Sequence, residues 1–140
     1  MSFITRLNDV ANTWVGTRHQ NGCSLRGVAC DCTGLLTGIY RDLGIIDIKV
    51  DYNYSAFWYL KKGCRELLLP YLEQYFYRVD VLQPGDVIGY RVGRSECAHV
   101  AMYLGHGRLI HCSADFGTEI INKPEMETRE SGYWRLKCLS

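Results

Sequence analysis

The stretch Gly27-Val28-Ala29-Cys30-Asp31-Cys32-Thr33-Gly34-Leu35-Leu36 places a cysteine at the start of a predicted helix. Asp31 is a suitable N-cap, because its carboxylate can accept hydrogen bonds from the backbone N–H groups of the first turn. Apolar residues then recur at helical spacing, at Leu35, Ile39 and Leu43. Gly44 is positioned to end the helix. The sequence therefore predicts a helix that begins at Cys32.

Cys32 falls in the first turn of this helix, where free backbone N–H groups and the helix dipole favour a negative charge. We therefore expect its thiol to ionise more readily than that of an ordinary cysteine. The thiolate is the nucleophilic form, so Cys32 is a candidate nucleophile. The alternative is a small buried hydrophobe, which is the commoner role of a free cysteine.

The chain has 140 residues and is expected to form a single domain spanning residues 1–140. Its net charge of +1 gives no electrostatic case for binding nucleic acid. The N-terminal residues lack the apolar core of a signal peptide, and no apolar run is long enough for membrane insertion. Seven cysteines without an export signal favour reduced thiols over a disulfide framework.

Helical periodicity dominates the first half of the chain, and strand alternation dominates the second. A first helix begins after Ser2 and ends at Gly16, and another spans residues 65–75 with Pro70 inside it. Residues 17–22 are polar and predicted to form a loop, and residues 45–54 fit either an edge strand or an extended arm. Strands are predicted at residues 87–92, 98–104, 108–112, 119–121 and 133–139. This order predicts an α+β fold with N-terminal helices packed on a C-terminal antiparallel β-sheet.

Two histidines lie on neighbouring predicted strands and complete a candidate catalytic set with Cys32. His99 and His111 share a sheet face if the hairpin loop is odd in length, or if an even loop is accompanied by a bulge. A nucleophilic cysteine needs a base, and the base needs a third group that fixes its orientation. Cys32, His99 and His111 supply these three types, whereas His106 lies between glycines and is expected to be exposed. For each histidine alone, the alternative is a structural hydrogen bond to the backbone.

Four segments in order resemble the NlpC family of papain-like cysteine peptidases. They are Asp31-Cys32-Thr33-Gly34-Leu35, Leu82-Gln83-Pro84-Gly85-Asp86-Val87, His99-Val100-Ala101-Met102-Tyr103-Leu104-Gly105 and Ile110-His111-Cys112. The resemblance implies a papain-like fold and hydrolysis of amide bonds in peptidoglycan stem peptides, typically between D-glutamate and a diamino acid. It implies Cys32, His99 and His111 as catalytic residues. We expect no cofactor and no metal.

The stretch Gly16-Thr17-Arg18-His19-Gln20 resembles most closely the members encoded by tailed bacteriophages and gene transfer agents. This resemblance implies tail-tip proteins as partners, and a location in the virion tail, or in the host cytoplasm before assembly. The chain departs from the family in one respect: a Pro-Tyr dipeptide, whose tyrosine is thought to help bind the oxyanion, is absent upstream of Cys32. His19 or Gln20 is the candidate substitute donor.

Three alternatives concern individual cysteines, a metal and the function. Cys30 could mimic the nucleophile, but only Cys32 is followed by Thr-Gly-Leu, so Cys30 is interpreted as a structural thiol or redox partner. A zinc site is a second alternative, although the Cys-x-Cys spacing is shorter than that of paired zinc ligands. The third is a structural tail component with a degenerate peptidase fold. The missing tyrosine favours it, as do aromatic residues that could line a partner surface, at Tyr52, Tyr54, Phe57, Trp58 and Tyr59.

Overall fold

The computed structural model describes residues 2–45, 68–93 and 95–139. The extended segment predicted at 45–54, apart from its first residue, lies outside the described residues, as does the start of the helix predicted at 65–75. The aromatic residues between 52 and 59 also lie outside them.

Two of the three described helices begin at the N-caps that the sequence predicts. In α1 (Phe3–Trp14), the Ser2 hydroxyl accepts a hydrogen bond from the Thr5 backbone N–H at 3.3 Å. In α2 (Cys32–Asp42), the Asp31 carboxylate accepts one from the Gly34 N–H at 2.7 Å. The third helix, α3 (Leu68–Tyr75), contains Pro70. No helix among the described residues is long and apolar enough to span a bilayer.

A small three-stranded sheet precedes α2, and its first strand lies within residues 17–22, for which the sequence predicts a loop. Its strands are β1 (Arg18–His19), β2 (Ser24–Leu25) and β3 (Ala29–Cys30), in the order β1-β3-β2. β1 pairs with β3 in parallel and β2 pairs with β3 in antiparallel orientation. Strands of two residues carry no readable alternation, so the sequence pattern could not reveal them. The sheet holds the chain next to the start of α2.

Within the described residues, the main sheet has six strands, paired in the order β4-β9-β5-β6-β7-β8. The strands are β4 (Phe76–Val79), β5 (Val87–Val92), β6 (Ser95–Gly105), β7 (Arg108–Ser113), β8 (Gly117–Asn122) and β9 (Glu130–Leu136). All pairs are antiparallel, which confirms the predicted α+β fold. The sequence did not predict β4, nor the 3₁₀-helix Lys123–Arg129 between β8 and β9. The last strand ends at Leu136 rather than at residue 139, because the chain turns there into another 3₁₀-helix, Lys137–Leu139.

The hairpin of β6 and β7 carries both histidines. Its loop is even in length and is accompanied by a bulge, which is the second of the two predicted arrangements. His106 and Gly107 form a two-residue turn, both with positive φ, as a tight right-twisted hairpin requires. The register shifts between Tyr103 and Gly105, which is the bulge that an even loop needs. With Tyr103 opposite Leu109, residues 99 and 111 lie on the same face of the sheet. His106 is exposed, as predicted.

Helix α2 is buried on all sides rather than along one apolar stripe. Every residue from Cys32 to Tyr40 is buried. Leucine and isoleucine side chains of α2 belong to the main core, whereas its glycines allow close approach of neighbouring segments. A Cβ atom on Gly38 would lie 2.2 Å from the Trp14 ring of α1. The position of Cys32 is therefore fixed by packing on several sides.

The Pro84-Gly85-Asp86 turn connects α2, β5 and β9. The Tyr40 hydroxyl donates a hydrogen bond to the Gly85 carbonyl oxygen at 2.7 Å. The buried Asp86 carboxylate accepts two hydrogen bonds from the Arg135 guanidinium, at 2.9 and 2.8 Å. Such a bidentate pair fixes the geometry of both partners. The turn therefore holds the sheet against the helix that carries Cys32.

Candidate active site

Cys32 lines an open cavity of about 580 Å³ together with residues of the main sheet. The thiol-bearing residue is 7% exposed, so it is packed on most sides yet reached from the cavity. The backbone N–H of Val100 on β6 donates a hydrogen bond to its sulfur. Both predicted imidazoles, those of His99 and His111, line the same cavity. The fold therefore brings the three candidate catalytic residues together.

The two histidines form a hydrogen-bonded pair. Nε2 of His99 lies 2.9 Å from Nδ1 of His111, and the two rings are nearly perpendicular at 84°. With Nε2 of His99 engaged in this way, its Nδ1 is the ring nitrogen left for a reacting group. His111 is buried and His99 is partly buried. This geometry suits a base held by a second histidine.

Glu119 extends the pair and was missed by the sequence analysis. Its Oε1 lies 3.0 Å from Nε2 of His111, at the opposite end of the ring from His99. Glu119 on β8 is directly opposite His111 on β7 in the strand register. The sequence could have indicated this pairing, because His111 and Glu119 are equally distant from the turn at 114–116 and residues so placed face each other in a symmetric hairpin. The sequence predicted a strand starting at Glu119 but assigned it no role.

Of the two candidate oxyanion donors, His19 lines the cavity and Gln20 does not. The charge of His19, when present, acts on His99. Gln20 is exposed, and its backbone N–H donates to the Cys30 carbonyl oxygen at 2.9 Å. Of the two side chains, that of His19 therefore faces the region where a substrate carbonyl would lie. The Asp31 carboxylate also stabilises this loop by accepting a hydrogen bond from the Gly22 N–H at 2.7 Å.

The expectation that the Cys32 thiol ionises readily is wrong. Burial raises the pKa of Cys32, and the neighbouring Asp31 carboxylate raises it further. The hydrogen bond from Val100 lowers this pKa, but by less. The helix start does favour an anion, yet removing the thiolate from water outweighs that preference. The resting form of Cys32 in the free protein is consequently the neutral thiol.

The histidines are also neutral in the resting site. Burial lowers the pKa of His99 to about 3, with smaller contributions from the charges of His111 and His19. Burial lowers the pKa of His111 too, although its hydrogen bond and attraction to Glu119 act in the opposite direction. A neutral imidazole can accept a proton, whereas an imidazolium cannot. His99 is therefore in the protonation state that a general base requires at neutral pH.

The raised pKa of Cys32 predicts a distinctive pH dependence of alkylation. Because the folded-state pKa lies above the ordinary value, the thiolate fraction is small at neutral pH and rises only at alkaline pH. We expect iodoacetamide to modify Cys32 more slowly than N-acetylcysteine at pH 6, with a rate that still increases above pH 9. Peptide mapping by mass spectrometry measures this rate. A rate that is already maximal and flat between pH 5 and 7 would show a preformed thiolate instead.

Cys30, the last residue of β3, does not line the cavity. It is fully buried, and the Cys112 thiol donates to its carbonyl oxygen at 3.3 Å. Its own sulfur lies 3.3 Å from the Thr118 hydroxyl. The hydrogen bond with the Cys112 thiol and burial both raise the pKa of Cys30. Of the two cysteines that flank Asp31, only Cys32 lines the cavity.

No metal site is formed by the part of the chain that the structure describes. Within residues 2–45, 68–93 and 95–139, no three histidine, cysteine, aspartate or glutamate side chains are grouped so that they could hold a metal ion. The zinc alternative therefore has no ligand set among these residues. The hydrogen bonding of both nitrogens of His111 gives that side chain a different role.

One protein-family model matches most of the chain, including the residues of the candidate site. The model of the NlpC/P60 family matches residues 11–138 of the chain, which includes Cys32, His99, His111 and Glu119. No curated protein is significantly similar in sequence.

Solved structures of the same fold extend over nearly the whole chain. An NlpC/P60 family protein from Bacillus cereus is 26% identical with a TM-score of 0.68, covering 96% of this chain and 40% of its own length. A protein from Staphylococcus aureus described as similar to a lipoprotein of the NLP/P60 family is 20% identical with a TM-score of 0.64, covering 95% and 41%. The NlpC/p60 domain of the peptidoglycan hydrolase SagA is 14% identical with a TM-score of 0.58, covering 97% and 99%. The chain thus spans about two fifths of the first two proteins and nearly all of the third domain.

Proposed function

Because this chain belongs to the NlpC/P60 family, we propose that it is a cysteine peptidase that hydrolyses amide bonds in peptidoglycan stem peptides. The observation that carries the proposal is the shared cavity of Cys32, His99 and His111, with the two imidazoles hydrogen-bonded at 2.9 Å. A thiol, a neutral base and a group that orients the base are the parts of a thiol hydrolase.

The first step is attack of the Cys32 sulfur on the scissile carbonyl carbon. The thiol is neutral at rest, so its proton passes to Nδ1 of His99 as the sulfur–carbon bond forms. The carbonyl π electrons move to the oxygen and give a tetrahedral oxyanion. The low pKa of His99 keeps this base unprotonated until the substrate arrives. Proton transfer and attack are therefore coupled.

The oxyanion is stabilised at the start of α2. The backbone N–H of Cys32 lies in the first helical turn, where backbone donors have no intrahelical partner. His19 on the cavity wall is the proposed second donor, replacing the tyrosine of other family members. A single oxyanion donor contributes about 2.7–4 kcal/mol to transition-state stabilisation. Loss of His19 is therefore expected to slow turnover without abolishing it.

The second half of the reaction releases both products. The carbon–nitrogen bond breaks, and the His99 imidazolium gives its proton to the departing amine. A thioester then joins Cys32 to the acyl part of the peptide. Water attacks this thioester with His99 again as the base, which releases a carboxylic acid and restores the thiol. Every proton taken by His99 is returned within the cycle.

The proposed bond lies between D-glutamate and a diamino acid, as the family resemblance implies. The charges on the cavity wall support a substrate with both carboxylate and amine groups. Arg129 lines the cavity together with the carboxylates of Asp115 and Glu125. Stem peptides carry both kinds of charge. An open cavity also suits a branched polymer better than a closed pocket does.

We further propose that the chain acts in a phage tail, where it would open the cell wall locally. This rests on the resemblance of residues 16–20 to the tail-associated members. A structural tail component is the second candidate, because the family's oxyanion tyrosine is missing. Antibody labelling of purified particles in the electron microscope tests the location. Assembly of particles that contain a chain with no hydrolytic activity would favour the structural candidate.

Digestion of purified peptidoglycan tests the enzymatic proposal. We expect the chain to release soluble peptides whose masses place the cut after D-glutamate, with a new amino group on the diamino acid. Mass spectrometry of the released fragments identifies the bond. The matched control is Cys32→Ser, which retains the cavity but lacks the thiol. Release of the same fragments by both proteins would contradict the proposal.

A further inference from the structure

A carboxylate closes the chain of hydrogen bonds that begins at the candidate base. Glu119 Oε1 lies 3.0 Å from Nε2 of His111, and His111 Nδ1 lies 2.9 Å from Nε2 of His99. Glu119 is opposite His111 in the β7–β8 register, so backbone pairing fixes its approach. Its side chain is 38% exposed, whereas that of His111 is 6% exposed. The Glu119 carboxylate is thus partly in contact with water, while the His111 imidazole between it and His99 is almost fully buried.

The positions of the protons along these hydrogen bonds follow from the fact that the last acceptor is a carboxylate. A carboxylate only accepts hydrogen bonds, so Nε2 of His111 must donate. A neutral imidazole carries one proton, which leaves Nδ1 of His111 as an acceptor. Nε2 of His99 must then donate to it, and Nδ1 of His99 keeps its lone pair. That lone pair is the one that can remove the Cys32 proton.

We propose that Glu119 is a positioning residue that sets the tautomers of both His111 and His99. The inference rests on the proposed cysteine peptidase function and identifies a further residue for that reaction. Without an acceptor at Nε2 of His111, the opposite tautomers become accessible. His111 Nδ1 would then donate to His99, and the proton of His99 would occupy Nδ1. That nitrogen could no longer accept a proton from the thiol.

A neighbouring carboxylate does not duplicate this role. Glu125 also attracts His111, but its Oε2 accepts a hydrogen bond from the Asn122 backbone N–H at 2.9 Å. That bond is part of the capping of the 3₁₀-helix before β9. Glu119 is therefore the carboxylate that is bonded to the imidazole. Glu125 contributes only to the field around it.

Two substitutions of Glu119 separate tautomer control from simple loss of charge. Glu119→Gln removes the charge but keeps a carbonyl oxygen that can accept from His111 Nε2. Glu119→Ala removes the acceptor. We expect Glu119→Ala to lower kcat by about 30- to 100-fold with KM changed less than about 3-fold, and Glu119→Gln to lose less than about 5-fold, since partners that orient a reacting group typically contribute on that scale. Glu127→Ala is the matched control, because Glu127 is an exposed carboxylate paired with Lys123 outside the cavity.

Imidazole nitrogen NMR measures the tautomers without any substrate. In the unmodified chain and in Glu119→Gln, we expect a protonated Nε2 and an unprotonated Nδ1 on both histidines. In Glu119→Ala, a population with protonated Nδ1 should appear on both rings. Identical spectra for the unmodified chain and Glu119→Ala would overturn the proposal. So would equal kcat losses for Gln and Ala. If the unmodified chain cleaves no peptidoglycan, the peptidase proposal fails, yet the spectra still decide the role of Glu119.

Discussion

Replacement of Cys32 by serine is expected to lower kcat/KM for peptidoglycan fragments by about 10⁴-fold or more, since removal of a nucleophile leaves only binding and oxyanion stabilisation. A serine hydroxyl in this site is a far weaker acid than a thiol, and the neutral His99 is a weak base for it. The fold should be unaffected, because serine is smaller than cysteine and the cavity is open at this point. Fragment release followed by mass spectrometry measures the loss.

His99→Ala should have an effect of similar size, and His111→Ala a severe but smaller one. Because Cys32 and His99 act in one step, the double variant should be no slower than Cys32→Ser alone. His106→Asn is the control, since His106 is an exposed histidine in the same hairpin and asparagine tolerates its positive φ of 53°. Full activity in His99→Ala, or a large loss in His106→Asn, would contradict the assigned roles.

Gly34→Ala is expected to destabilise the protein by about 3 kcal/mol or more, which is the upper range for overpacking of a well-packed core. In an ordinary helix interior the same change would stabilise by about 1 kcal/mol, because alanine is the better helix former. A Cβ atom on Gly34 would lie 2.0 Å from the Cys23 carbonyl oxygen. That oxygen belongs to the backbone and cannot rotate away. Either α2 or the segment before β2 must move, and Cys32 moves with α2.

Thermal and urea unfolding measure this loss of stability, and fragment release measures the displacement of Cys32. Thr37→Ala is the control on the same helix, because Thr37 is also buried but its replacement by alanine adds no atoms. Its hydroxyl donates only to the Gly34 carbonyl oxygen within the helix, at 3.1 Å. An unfolding free energy for Gly34→Ala equal to that of the unmodified chain would mean that the approach of Cys23 is not tight. The glycine of the Asp-Cys-Thr-Gly-Leu motif would then need another explanation.

The parts of the fold that sequence reasoning predicted are those with strong local signals. The caps of α1 and α2 are read directly from Ser2 and Asp31, and the structure confirms both. Strand alternation revealed β5, β6, β7, β8 and β9 within a few residues of their ends. The spacing of His99 and His111 left two loop geometries, and the observed turn with its bulge is one of them. These features depend on residues that are close together in the sequence.

The parts that sequence reasoning missed depend on contacts between distant segments. The pKa of Cys32 is set by how deeply α2 is enclosed, which helix periodicity does not reveal. The place of Glu119 beside His111 depends on the register of β7 and β8. The strands β1, β2 and β3 exist only because they pair with one another next to α2. Burial, register and pairing are tertiary properties, so they become visible only in the folded chain.

The position of β9 in the main sheet has a consequence for synthesis. β9 is made last among the six strands, yet it lies between β4 and β5. While the ribosome is still translating, β5 has an unpaired edge, and β4 has no partner within the sheet. Exposed strand edges favour aggregation, and pairing of distant segments is slow. The growing chain is therefore most prone to aggregation before β9 inserts between β4 and β5. Chaperones are expected to protect it most in that interval.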